Sequence, residues 1–368
     1  MRFAPEPKLP HGSVPKTGIL LVNLGTPAAP TPAAVRAYLG EFLSDPRVVE
    51  IPRLPWWLIL HLFILRKRPA ESAAKYAKVW TREGSPLAVH TAKQAILLQG
   101  YLGARLKSPH VVAWGMRYGQ PSVAKALAAL REQGCDRVLV VPLYPQYAMS
   151  TTASVYDAVF QSLSTLRNVP GLRLVRHFHD HPAYIAALAA RVRESWAATS
   201  GRPDRLLLSF HGVPKFTLTR GDPYHCECHK TARLLAGALG LRADQVVVTF
   251  QSRFGRAEWL QPYTIDTVAQ LGKSGVRRLD VFCPGFVSDC LETLEEIGME
   301  NRAAFLAAGG KEFNLIPCLN ESHPWIEALA QVVVENLHGW AAADWDAKAA
   351  ADEAAASKAR ALALGAKT

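Results

Sequence analysis

The sequence has no run of the roughly 20 apolar residues that a membrane-spanning helix requires; its most apolar stretch, Trp56 to Leu65, is ten residues long. It has no dense cysteine framework either. Six cysteines are scattered from Cys135 to Cys318 in 368 residues, which excludes a small disulfide scaffold and makes free thiols the expectation. The first residues, MRFAPEPKLPHGSVPK, are proline-rich and lack the apolar core of a secretory signal. A cytosolic protein is expected. No glycine-rich phosphate loop follows the first apolar run, where Asn23-Leu24-Gly25-Thr26-Pro27 stands instead. That counts against a nucleotide-binding enzyme. No short Lys/Arg block of nucleic-acid type occurs, although the formal charge is +11. The basic balance therefore points to an anionic membrane or a small acidic molecule, not to nucleic acid.

What is present suits a folded chain of two domains. Hydrophobic residues make up 49% and charged residues 20%, ordinary values for a globular protein. Eight β-branched apolar runs end at turn residues: 17–24, 110–116, 137–143, 172–178, 205–211, 245–251, 278–284 and 312–318. Their apolarity is continuous, as in strands buried on both faces. Helix-like segments separate them, Val123 to Gln133 among them. The pattern predicts an α/β fold of two similar Rossmann-like domains, each a four-stranded parallel sheet flanked by helices. LLVNLGTP (20–27) lines up with LLSFHGVP (207–214), and RYG (117–119) with RFG (253–255), as expected of an old duplication.

The expected boundaries are a loose extension over 1–15, a first domain over 16–178, a second over 179–338 and an Ala-rich tail over 341–368. The first domain carries an insertion over about 50–90. In it, Trp56 to Leu65 is followed by Arg66, Lys67 and Arg68. Aromatics beside a basic terminus suit shallow insertion into a membrane surface or an apolar lip over a greasy ligand. A buried helix is the plainer account.

Ligands in such folds bind beyond the carboxyl ends of the strands, so the residues just after each run carry the chemistry. CPGFVSDCLETLEEIG (283–298) puts Asp289, Glu292 and Glu296 at helical spacing, on a helix expected to start near Ser288 or Asp289. Three like charges on one stripe repel unless a cation or proton is held there. A capping box, with Asp289 as N-cap and Glu292 at the third position, is the alternative. His211 closes a strand and faces the expected cleft, where a neutral imidazole ligates Fe²⁺ or accepts a proton. His225-Cys226-Glu227-Cys228-His229 lacks zinc-knuckle spacing and is read as structural.

Taken in order, LLVNLGTP, AYLGEFLSDPRV, GSPL (84–87), YPQYAMSTT (144–152), SFHGVP, RGDPY, QSRFG with Trp259, and SDCLETLEE resemble ferrochelatase motifs from about residue 17 to 335. The resemblance implies two Rossmann-like domains around a porphyrin cleft, and insertion of Fe²⁺ into protoporphyrin IX with release of two protons. It makes His211 and Glu292 the catalytic pair and adds Asp289 and Glu296 as metal-path residues. It makes Leu24, Ser85, Arg117, Tyr118, Tyr144, Ser150, Trp259 and Phe286 the substrate pocket, with Arg117 meeting a propionate. Cys290 stands where many members carry histidine. No resident cofactor is implied. A [2Fe-2S] cluster is not expected, because no cysteine follows Cys318. Iron insertion into coproporphyrin, or a metal into another tetrapyrrole, is the competing enzymatic reading, and a porphyrin carrier the non-catalytic one. The large apolar insertion favours protoporphyrin, and the carboxylates opposite His211 argue against a carrier.

Overall fold

The computed structural model describes residues 3–199, 201–255, 257–341 and 344–367. Residues 1, 2, 342, 343 and 368, from the expected extension and tail, lie outside the described residues. The eight apolar runs form eight strands. They are β1 (Lys16–Gly25), β2 (His110–Tyr118), β3 (Cys135–Pro142), β4 (Gly171–Leu174), β5 (Arg205–His211), β6 (Val246–Gln251), β7 (Arg278–Phe282) and β8 (Glu312–Leu315). All pair in parallel, in two four-stranded sheets of order β2-β1-β3-β4 and β6-β5-β7-β8. The shared permutation bears out the two-sheet reading. The edge strands β4 and β8 stop about three residues earlier than their apolar runs, because pairing on one side ends there and Phe178 and Cys318 turn into the core.

The helices follow in chain order: α1 (Pro32–Leu43), α2 (Arg53–Ile59), α3 (Leu65–Val79), α4 (Pro86–Gly103), α5 (Val123–Glu132), α6 (Ser154–Leu163), α7 (Pro182–Ala198), α8 (Lys215–Thr219), α9 (Tyr224–Leu239), α10 (Thr264–Lys273), α11 (Arg302–Ala307), α12 (His323–Asn336) and α13 (Ala347–Ala363). Three π-helical segments interrupt this pattern, at Leu60–Ile64, Met149–Ala153 and Glu292–Asn301. Helix α5 shows the local logic. Ser122 caps it by accepting from Lys125 N, and Val123, Ala126, Leu127 and Leu130 bury one stripe.

Alternation along β1 explains its unbroken apolarity. Ile19 and Leu21 face the core shared by both halves, while Leu20 and Val22 face α5 and α6. The shared core runs through α4, α7, α9 and α12, and packs Phe178, Tyr184 and Trp325 as neighbouring rings 5.3–5.9 Å apart. The extension read as loose is tied down: Glu6 pairs with Arg131 and accepts the N–H groups of Arg167 and Asn168 at 3.1 Å. The tail forms α13, capped by Asp346 and with no buried residue. A cavity of about 560 Å³ lies between the extension, Trp340 and α13, at the amino ends of the strands and so on the far edge of the sheets from the expected cleft. Among the described residues, no helix is long and apolar enough to cross a membrane.

Candidate active site

His211 is the last residue of β5, and its half-buried side chain lies 6.5 Å ring to ring from Phe286. Its Nδ1 is 2.7 Å from the Gly212 carbonyl oxygen. A carbonyl only accepts, so Nδ1 carries a hydrogen, and in the neutral ring Nε2 is the nitrogen with the lone pair. Residue 212 has room for no side chain. A Cβ would fall 2.8 Å from the Gln251 carbonyl oxygen and 3.1 Å from the Trp259 ring. The Gly212 N–H donates to that same carbonyl at 2.7 Å, joining the ends of β5 and β6 beside the histidine.

The carboxylates stand on the segment after β7. Glu292 and Glu296 both lie on the π-helical stretch Glu292–Asn301, four residues apart, where the wider turn of 4.4 residues keeps them near one face. Ser252 donates its N–H to Glu296 at 2.8 Å and its hydroxyl to the other carboxylate oxygen. Gln251 links the pair, donating to the Glu292 carbonyl at 3.0 Å. Burial raises the Glu296 carboxyl above its ordinary range. The Ser252 donors and the charge of His211 oppose this, while Glu292 pushes the same way.

Asp289 does not share their helix. The helical turns start after it, and both of its oxygens are occupied within the fold. Oδ1 accepts from the Thr293 hydroxyl at 3.0 Å and the Cys318 N–H at 3.3 Å, and Oδ2 from Asn320 Nδ2 at 2.6 Å. The three-carboxylate stripe is therefore corrected to two, and the capping box is absent too: Cys290 N donates to Thr293 Oγ1, with Asp289 on its other side. Cys290 is buried, and burial with the charge of Glu292 pushes its thiol well up, so it stays protonated.

Helix α1 and the insertion supply residues that spacing did not reveal. Tyr38 of α1 and Tyr76 of α3 are buried, and the charge of Glu292 adds to the burial that pushes both phenols well up. Both lie within electrostatic reach of Glu292. Glu295, which the spacing did not single out, is 1% exposed and takes Lys75 at 3.2 Å and Lys78 at 2.9 Å, which pins α3 to the segment that carries Glu292 and Glu296. A carboxylate between two glutamates was the available signal, but its lysine partners lie more than 200 positions away. The lip itself is two-sided. Trp56, Leu60 and Leu65 pack on Leu43, whereas Leu54, Trp57, Leu58, Leu62 and Phe63 are exposed.

Structure sorts the remaining pocket candidates. Leu24 is half-buried at the end of β1, and Ser150 half-buried on the π-helical segment after β3. The Tyr144 hydroxyl and the Trp259 Nε1 are buried without a hydrogen-bond partner. Ser85 is buried and receives the Thr26 hydroxyl at 2.8 Å. Arg117 is engaged internally. Its guanidinium meets Asp45, the Ser154 hydroxyl at 2.6 Å and the Ser154 carbonyl at 2.9 Å. Tyr118 is fully buried and donates to Asp45 at 2.8 Å. Asp45 thus ties Arg117 and Tyr118 together, and the guanidinium expected to meet a propionate is held by a carboxylate and by Ser154.

Residues 16–337 match the family model described as Ferrochelatase. This chain belongs to the ferrochelatase family. A ferrochelatase of Herminiimonas arsenicoxydans is 63% identical over 92% of each chain, and one of Nitrosomonas europaea is 56% identical over 100% of this chain and 99% of the relative. Among solved structures, SirB from Bacillus subtilis with Fe³⁺ shares the fold at a TM-score of 0.52 and 14% identity, covering 87% of this chain and 95% of that one. The protein is an enzyme, a metal chelatase that inserts iron into a porphyrin in haem biosynthesis, and the carrier reading falls. Its family implies porphyrin and iron as its substrates.

Proposed function

We propose that His211 and Glu292 are the centre at which Fe²⁺ replaces the two pyrrole protons of protoporphyrin IX. One observation carries the reading: Gln251, paired in register with His211 at the end of β5, donates to the Glu292 carbonyl, and its neighbour Ser252 holds the Glu296 carboxylate, so all three residues converge at the carboxyl ends of β5 and β6. Metallation must desolvate Fe²⁺, remove two protons and bend the ring so that nitrogen lone pairs meet the metal. Nε2 of His211 takes the first proton or touches the metal. Glu292 partners it. Glu296, more basic than an ordinary glutamate, accepts protons and passes them out past Ser252. Trp259, Phe286 and Leu24 contact the apolar ring, and a cleft shaped to the bent ring lowers the barrier by differential binding. Fe²⁺ enters as substrate; the reading needs no resident cofactor and no [2Fe-2S] cluster.

The exposed lip residues, with Arg66, Lys67 and Arg68 behind them, support peripheral contact with an anionic membrane from the cytoplasmic side. An apolar surface at that lip favours protoporphyrin over coproporphyrin, which carries two more carboxylates. Anaerobic assays with Fe²⁺ and each porphyrin test both parts. His211→Ala and Glu292→Gln should abolish loss of the free-porphyrin bands while porphyrin binding survives. Near-normal turnover in either variant rejects the centre, and faster turnover of coproporphyrin rejects the substrate.

A further inference from the structure

Behind the cleft wall stands a cluster that the chelatase chemistry does not use. His177 and His179 lie on the segment after β4, at the junction of the two halves, and Glu227 on the first turn of α9. His177 Nδ1 is 2.8 Å from Glu227 Oε1, and His179 Nδ1 is 3.3 Å from Oε2. The two imidazole rings are 4.7 Å apart. One ligand atom from each of the three residues falls within 4.8 Å of the others.

We propose that His177, His179 and Glu227 form a second metal site, for a divalent first-row transition ion. The decisive feature is His179. Its side chain is 3% exposed, and neither ring nitrogen has a hydrogen-bond partner, because the contact to Glu227 lies off the hydrogen-bond line. Buried ring nitrogens are normally satisfied, and an ion on Nδ1 would satisfy this one. Two imidazoles and one carboxylate suit Fe²⁺, Co²⁺ or Zn²⁺ and not the oxygen-seeking Mg²⁺ or Ca²⁺.

The surroundings are built for it. The second acid, Asp180, is neutralised by Lys230 at 2.5 Å. The Tyr147 N–H fixes Glu227 Oε2 at 2.7 Å, and the Thr231 hydroxyl holds the His179 carbonyl at 2.8 Å. These are the outer contacts that orient metal ligands. His177 is 39% exposed and leaves an entry path and a fourth position for water. Tyr147 lies between Tyr144 and Ser150 in the chain, so an ion here would brace that segment through Glu227 while clamping α9 to the segment after β4. His225 and His229 share α9 but turn away, towards Phe250.

The test uses the full chain carrying His211→Ala, which removes the porphyrin-centre ligand. Titration with Co²⁺, read by equilibrium dialysis and visible absorption, should give one ion per chain with the bands of a histidine-ligated centre. Adding His177→Ala, at a partly exposed position, should weaken binding by at least about 100-fold, and Glu227→Gln should do the same. Adding His225→Ala should leave it unchanged. No retained Co²⁺ in the parent, equal retention after His177→Ala, or loss on His225→Ala alone would each overturn the site and leave a hydrogen-bonded structural cluster.

Discussion

Ser252 holds Glu296 with two donors at once, its N–H at 2.8 Å and its hydroxyl, from a left-handed backbone with φ of 66°. A side chain in that conformation is strained, and strain of this kind gathers at functional sites. The pair sets the charge of the carboxylate beside His211. Burial raises the Glu296 pKa and Ser252 lowers it, so Ser252→Ala must raise it further. A base works when ionised. The acid limb of the kcat/KM profile should therefore move to higher pH in Ser252→Ala and vanish in Glu296→Gln. A limb that stays put in Ser252→Ala identifies some other group as the titrating base.

Asp289 separates structure from chemistry. Its buried oxygens accept from Thr293, Cys318 and Asn320. Removing them in Asp289→Ala strands buried donors and should cost about 2–4 kcal/mol in urea melts. Turnover per folded molecule should change far less than in Glu296→Gln. An intact melting curve with lost iron turnover would return Asp289 to the metal path.

Asp45 is the anchor of Arg117, Tyr118 and Ser154. Asp45→Ala leaves the half-buried Arg117 guanidinium without its carboxylate and should cost about 2–3 kcal/mol, below the figure for a fully buried pair. Burial works to raise the Asp45 pKa, but its donors from Ser154, Arg47, Tyr118 and Arg117 win and lower it. Its stabilisation is thus complete above the unfolded-state carboxylate pKa and is lost as pH falls through the lower folded value. The wild-type advantage over Asp45→Ala should hold at neutral pH and shrink in strong acid. Melts showing a pH-independent difference would contradict this.

The lip offers a cleaner surface experiment. Leu54, Trp57 and Phe63 are 74%, 54% and 64% exposed, so serine at all three should barely alter the melting temperature. Sedimentation with anionic liposomes should fall several-fold. Equal pelleting of variant and wild type would reject the membrane contact.

Periodicity marked all eight strands, because strands buried on both faces leave an unbroken apolar signature. Strand ends then directed attention to His211, Gly212 and the segment after β7. Spacing misled at Asp289, since an α-helical reading of 289–296 presumes a helix that starts only after it and then winds as a π-helix. Nothing local announces that Cys318 and Asn320 will claim its oxygens.

The sequence by itself determined two parallel sheets, the positions of His211, Glu292 and Glu296, and, through its ordered motifs, the ferrochelatase family. Only the tertiary structure decided that Ser252 grips Glu296, that Tyr38 and Tyr76 are buried within electrostatic reach of Glu292, that Asp45 neutralises Arg117, and that Glu227 meets two histidines from the segment after β4. Apolar periodicity is written in neighbouring residues, whereas the partner of a buried charge lies wherever folding brings one, often a hundred residues away.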